Sequence, residues 1–378
     1  MILGLSLRSI QGWAAPEVEK VYTRARRLCE QLGDPPEVFP VLWGLTLFHA
    51  IRGDLRTFRP LAEQLLAQAD RTGDQGFFVA ANQMMASVNE FEGDTVRSSE
   101  FFERAVAAHS PAEHLTDTAR FGLDPGMISR ALSPRPLWFL GHPDRAIERA
   151  DQTVALARKL RQPISLVFAI CLAENIRLLR REPEEAVTLG GEMIAICREF
   201  GLAQEVEWGR SFQGLALADL GRPEEGVEQL RDSIEVQRRI NAGLLRPTFL
   251  AHLAEALLKA GRPDEGLAAL DEAEAWAERT LERYYLAEIH RLRAELLRLK
   301  GDEDGAAASF DAALAFARRQ GAKSLELRAA TGMARLVAAR GRVREARDLV
   351  AGVHGWFTEG FDTGDLAEAR ALIADLGG

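Results

Sequence analysis

The chain has 378 residues, 47% of them hydrophobic and 27% charged, which marks it as globular rather than disordered. It is too long for one ordinary compact core and has no stretch that reads as a linker, so an extended repeat array is expected. A formal net charge of −9, with basic residues interleaved among acids in runs such as 291–298 (RLRAELLR), argues against nucleic acid, because phosphate contacts need Lys and Arg concentrated on one face. No apolar run approaches the ~20 residues of a membrane-spanning helix, and 1–10 lacks the basic start and long apolar centre of a signal peptide. A cytoplasmic protein without membrane attachment is the expectation.

Residues 1–11 (MILGLSLRSIQ) read as the tail of a first helix, as if the chain opened in mid-repeat. A second helix follows at 16–32. From there helices pair through short turns, the first two at Gly53-Asp54 and Gly93-Asp94, 40 residues apart. First helices are expected at 37–52 and 76–92, second helices at 55–72 and 95–109, from apolar spacing at i, i+3, i+4 and i+7. The next turn comes after 48 residues, which places an insertion loop at 110–125 (HSPAEHLTDTARFGLDP spans it). From 126 onwards the turns Gly141-His142-Pro143, Arg181-Glu182-Pro183, Gly221-Arg222-Pro223, Gly261-Arg262-Pro263, Gly301-Asp302-Glu303 and Gly341-Arg342-Val343 recur every 40 residues. First helices fall near 126–140, 164–180, 204–220, 246–260, 283–300 and 323–340. Second helices fall near 143–160, 183–200, 223–240, 263–280, 303–320 and 342–353. Ser133-Pro134-Arg135-Pro136 interrupts the first of these, since each Pro removes a backbone donor and clashes with the preceding turn, at about 3 kcal/mol or more in a helix interior.

A small residue stands five positions after each turn start (Ala146, Ala186, Gly226, Gly266, Ala306, Ala346). In four repeats another stands seven before it (Gly214, Ala254, Ala294, Ala334). Where two antiparallel helices cross next to a tight turn, their axes come too close for a large side chain. The expected architecture is all-α: a right-handed α-α superhelix of about eight to nine helix pairs, with a C-terminal capping helix at 365–376. It forms one solenoid, with N-terminal repeats over 1–110, the loop at 110–125, forty-residue repeats over 126–353 and the cap over 354–378.

No GxxxxGK[ST], GxGxxG, GxSxG or HExxH pattern occurs, so no catalytic, cofactor or metal site is expected. His109 and His114 share the insertion, where a ligand role is only a minor alternative to the expected absence of a metal site. The isolated cysteines Cys29, Cys171 and Cys197 read as small buried hydrophobes of a reducing compartment, and Trp43, Trp138, Trp208, Trp276 and Trp356 as core fillers. Binding is the remaining chemistry. In such a stack the first helices line the concave wall. Six residues before the turns stand Ser87, Arg135, Asn175, Leu215, Glu255, Glu295 and Arg335; thirteen before stand Trp208, Glu288 and Arg328. Polar side chains there can bond a peptide main chain or clamp a helix. Asn175 is favoured because its amide offers donors and acceptors, and Arg328 with Arg335, two turns apart on one face, suits an acidic ligand. The partner is therefore expected to be a protein or peptide in the concave groove, with a small molecule in the interior as the alternative; homo-oligomerisation stays open.

The turn and small-residue positions resemble the tetratricopeptide repeat in a long, roughly forty-residue version. Residues 16–53 and 325–376, the latter containing GWFTEGFDTGD at 355–365, resemble the carboxyl-terminal tetratricopeptide region of bacterial proteins that place a class III adenylate/guanylate cyclase domain and an AAA-type or STAND-type ATPase ahead of the repeats. That resemblance implies a regulatory or sensing arm, with catalysis located in domains other than this one.

Overall fold

The computed structural model describes residues 13–33 and 38–377, all helical or in turns with no strand among them. The reading of residues 1–11 as a helix tail lies outside the described residues. In chain order the helices are α1 (Pro16–Gln31), α2 (Val38–Ile51), α3 (Leu55–Thr72), α4 (Gln75–Glu92) and α5 (Thr95–Ala108), then α6 (His114–Phe121), α7 (Pro125–Leu132) and α8 (Pro134–Phe139). The regular repeats follow: α9 (Pro143–Leu160), α10 (Pro163–Arg180), α11 (Pro183–Phe200), α12 (Ala203–Asp219), α13 (Pro223–Arg239), α14 (Arg246–Lys259) and α15 (Pro263–Thr280). The chain closes with α16 (Leu286–Leu299), α17 (Glu303–Gln320), α18 (Lys323–Ala339), α19 (Val343–His354) and the cap helix α20 (Gly364–Asp375). Sequential packing of these antiparallel pairs builds a right-handed tetratricopeptide-like superhelix.

The segment at 110–125, read from sequence as a loop, contains a turn of 3₁₀ helix at Pro111–Glu113 and the helix α6. The prolines at 134 and 136 divide the expected helix at Ser133 into α7 and α8. The small residues occupy the predicted crossings: Ala146, Ala186, Ala306 and Ala346 are fully buried, as are Ala254, Ala294 and Ala334 opposite them. At Gly266 a Cβ would stand 2.8 Å from Leu296, and at Gly226 it would run into the Gly214 carbonyl. Gly is needed at the turns for a second reason, since Gly221 (φ 79°) and Gly301 (φ 81°) end their helices in the left-handed region. Arg181 takes the same conformation (φ 63°) at the one turn of the series where Gly is replaced.

Outer helices bury one stripe, as α3 does with Leu55, Phe58, Leu61, Leu65 and Ala69. Inner helices bury nearly their whole circumference; in α2 only Leu47 and His49 escape. The cause is that the superhelix closes on itself. The Ile51 carbonyl at the end of α2 accepts from the Gly243 and Leu244 amides, both at 3.0 Å, just before α14. In the same way the Phe91 carbonyl of α4 accepts from Arg283 (2.6 Å) and Tyr284 (3.1 Å) before α16. Trp13 Nε1 donates to Glu205 Oε1 (2.9 Å) across the same interval of 192 residues, a little under five repeats. Further along, Ser324 Oγ donates to the Trp138 carbonyl (2.5 Å), and Arg328 Nη2 to the Leu179 carbonyl (2.8 Å). The inner helices α2 and α4 thus direct their negative carboxyl ends at the entries of α14 and α16, one superhelical turn later.

One group at this seam makes the fold pH-sensitive. Glu282 is buried, its Oε1 accepting from the Leu245 amide (2.9 Å) and its Oε2 lacking a hydrogen bond. Burial pushes its carboxyl up to about 8, against the pull of Arg135 and Arg246. The folded chain therefore keeps a proton that the unfolded chain releases near pH 4.5, and the stability this confers is lost as pH rises from there through about 8. Glu174, buried with neither oxygen hydrogen-bonded, is raised by burial in the same sense. Urea denaturation of Glu282→Gln should show a flatter pH profile and a gain of ~1–3 kcal/mol at pH 8; an unchanged profile would mean the carboxyl is solvated.

Candidate functional site

The carboxyl-terminal halves of α10, α12, α14 and α16 converge with the start of α18 on a polar chamber of ≈ 390 Å³. The repeat places homologous positions of these helices side by side. Asn175, Glu255, Glu295 and Arg328, nominated from the sequence, all line it. The sequence reading missed Asp219, Lys259, His252, Arg291 and Arg181, which line it too. Apolar contacts come from Leu178, Leu179, Leu215 and Leu258.

Charges alternate across this space. Lys259 Nζ pairs with Asp219 and, at 2.9 Å, with Glu255 Oε1. Burial works against the Glu255 charge, yet Lys259 and Arg291 hold its carboxyl well below the usual range. Burial, with Glu255 alongside, raises Asp219. Behind them Glu288 binds Arg291 (2.8 Å) and Arg328 (3.3 Å). Two buried polar atoms have no hydrogen-bond partner among the described residues: Asn175 Oδ1 and His252 Nδ1. Burial drives His252 down to about 4, so near neutrality its ring is uncharged and carries one donor and one acceptor nitrogen. The residues that line the chamber thus include an unpartnered amide oxygen and an unpartnered imidazole nitrogen, flanked by fixed charges of both signs.

The C-terminal segment rims it. Arg328 Nε binds Asp365 Oδ2 (2.7 Å), Arg181 binds Asp365 (2.8 Å) and Glu368 (2.5 Å), and Arg335 binds Glu368 (2.5 Å). The chain's own α20 thus supplies an acid to each of Arg328 and Arg335, and Arg335, 41% exposed, stands outside the chamber. The 355–365 stretch clasps α9: Glu359 Oε1 accepts from the Asp144 and Arg145 amides (3.1 Å each), the Gly360 amide donates to Asp144 Oδ2 (2.8 Å), and Trp356 lies against His142. An Arg at a turn position that elsewhere holds Gly was the sequence signal for Arg181.

The other nominated residues lie apart. Ser87, Arg135 and Trp208 border a second, apolar cavity. There Arg135 Nε donates to Glu90 Oε1 (2.6 Å) and its guanidinium lies over Tyr284 (5.1 Å). His109 Nε2 and His114 Nδ1 both bond Asp124 Oδ2, at 3.2 and 2.7 Å, and Asp124 caps α7 through the Gly126 and Met127 amides. The three cysteines are buried; burial pushes the Cys197 thiol up to about 12, which leaves little nucleophilic thiolate.

No family model matches the chain. An uncharacterized protein of Rhizobium meliloti (strain 1021) is 21% identical over 347 residues, 90% of this chain and 33% of that protein; the chain spans a third of that relative's length. Among solved structures, a Rap protein complexed with competence and sporulation factor superposes with a TM-score of 0.57 at 12% identity, over 100% of this chain and 97% of that one. The APC/C hetero-tetramer Cut9-Hcn1 gives 0.56 at 10% identity, over 93% and 59%. The apo quorum sensor NprR from B. thuringiensis gives 0.50 at 10% identity, over 93% and 97%. At these identities what is shared is the tetratricopeptide-like fold.

Proposed function

We propose that the chain is a non-catalytic regulatory module that takes an extended peptide segment, free or part of a partner protein, into the polar chamber. The observation that carries this is the pair of unpartnered buried atoms, Asn175 Oδ1 and His252 Nδ1, on residues that line the chamber among charges of both signs. A peptide main chain presents amide donors and carbonyl acceptors at regular intervals and brings charges of both signs, so it can meet the Asn175 oxygen and either tautomer of His252, while an apolar ligand would leave both atoms unsatisfied, at about 1–3 kcal/mol each. The fold supports the reading, because the similar Rap structure is of a complex with a factor and NprR is a quorum sensor. A single zwitterionic small molecule is a second reading, favoured by a chamber volume inside the ~300–1,000 Å³ range of ligand sites.

The module is further read as the sensing arm of a nucleotide cyclase or ATPase signalling system. Support comes from the resemblance of 16–53 and 325–376 to such arms and from a relative about three times as long. A cyclase or ATPase domain encoded in frame with the chain would bear this out, and its absence would remove the reading.

Selection of a displayed decapeptide library on the intact chain tests the peptide reading. Enriched peptides should lose affinity ~10-fold on Asn175→Ala with an unchanged melting temperature, a factor expected for one or two hydrogen bonds. No enrichment, or peptides indifferent to Asn175→Ala and Lys259→Ala, would sink it.

A further inference from the structure

The amino-terminal halves of the same inner helices enclose a different space. Phe168, Cys171 and Leu172 of α10 and Trp208 and Phe212 of α12 precede, on the same helices, the residues that line the polar chamber. With Trp43, Met84 and Leu245 they surround an apolar cavity of ≈ 80 Å³. Three of its lining side chains carry a buried polar atom with no hydrogen-bond partner among the described residues: Trp43 Nε1, Trp208 Nε1 and Arg135 Nη2. All three atoms are donors. The three residues are 1%, 4% and 3% exposed, so bulk solvent does not serve them.

A buried donor without an acceptor costs about 1–3 kcal/mol, and three of one polarity around an apolar space define what would relieve them. The geometry points to a second ligand site, specific for a small apolar molecule whose polar group is an acceptor alone: a short-chain carbonyl compound or monocarboxylate. An oxygen with two lone pairs, or a carboxylate with about four acceptor sites, can take up several of these donors at once, while an amine brings only more donors and a charge of the same sign as the Arg135 guanidinium. At roughly 10–15 Å³ per water-sized atom, the cavity holds about five to eight atoms, the size of a C4–C6 compound. Glu90 already accepts from Arg135 Nε, which balances the guanidinium charge and leaves neutral carbonyls and carboxylates both admissible.

Hexanoate, 2-hexanone and hexylamine, added separately to the full chain and followed by calorimetry and tryptophan fluorescence, test the assignment. Saturable binding of hexanoate, 2-hexanone or both, with no binding of hexylamine, is expected. Binding of hexanoate alone identifies the ligand class as carboxylates, and binding of both as carbonyls. Trp43→Phe and Trp208→Phe, which keep a ring and delete the donor, should each weaken the bound probe ~3–10-fold, the worth of one hydrogen bond. Asn175→Ala, in the polar chamber, should leave it unchanged, so this site and the peptide reading fail separately. Hexylamine binding as well as the others, no saturation by any probe, or full affinity in both Trp variants overturns the proposal; the amine selectivity of the unaltered chain decides the matter even where a variant fails to fold.

Discussion

Arg135→Met should lower the unfolding free energy by about 3–5 kcal/mol, the cost of leaving one partner of a buried ion pair uncompensated. Glu90 and Arg135 expose 1% and 4% of their side chains. The guanidinium also lies over Phe91 and Tyr284, at 5.8 and 5.1 Å. Removing the cation strands the Glu90 carboxylate, whose Oε2 already lacks a hydrogen bond. The double variant Glu90→Gln, Arg135→Met should recover at least half of the loss, because the charge that needed compensation is then gone. Urea denaturation of the three proteins measures this. A single-variant cost below ~1 kcal/mol would place the pair in solvent.

Gly243→Val is expected to be comparably damaging for a different reason. A Cβ at Gly243 would collide with the Arg52 carbonyl oxygen and come within 2.8 Å of the Trp276 ring. Its obstruction is backbone of the preceding superhelical turn, which cannot swing aside as a side chain can. The two turns would have to separate, breaking both amide bonds to Ile51, at about 2–4 kcal/mol. Gly191→Ala is the control: nothing lies within 4 Å of its Cβ, and an Ala inside α11 should be neutral or stabilising by up to ~1 kcal/mol. Equal melting temperatures for parent and Gly243→Val would contradict the seam between turns.

What the sequence made legible is what repeats locally. The crossing residues Ala146, Gly226 and Ala306 answer to a steric demand that returns every forty residues, so they could be read without knowing the packing. Helix ends marked by Gly221 and Gly261 followed by Pro223 and Pro263 were legible for the same reason. α6 was read as loop because eight residues, HLTDTARF, are too few to establish a period. The seam itself left no mark, since Ile51 and Gly243 bond through backbone atoms and any side chains would permit it. For that reason Ser87, Arg135 and Trp208 were expected on the wall of an open groove, while closure of the superhelix buries them around a cavity. Asn175, Glu255, Glu295 and Arg328 converge on the chamber because equal offsets from equal turns stack. Lys259 and Asp219 escaped notice because they lie at the helix ends, outside the two offsets considered.

The interval between Ile51 and Gly243 also fixes the number of repeats. In an open solenoid a forty-residue unit can be inserted or deleted with consequences confined to its two neighbours. Here a deletion between these positions would bring the Ile51 carbonyl opposite the segment around 283, whose amides already serve Phe91, and every later pairing would slip by one unit. Repeat copy number in this chain is thus set by closure geometry, and its relatives should vary in loop length rather than in the count of helix pairs across one superhelical turn.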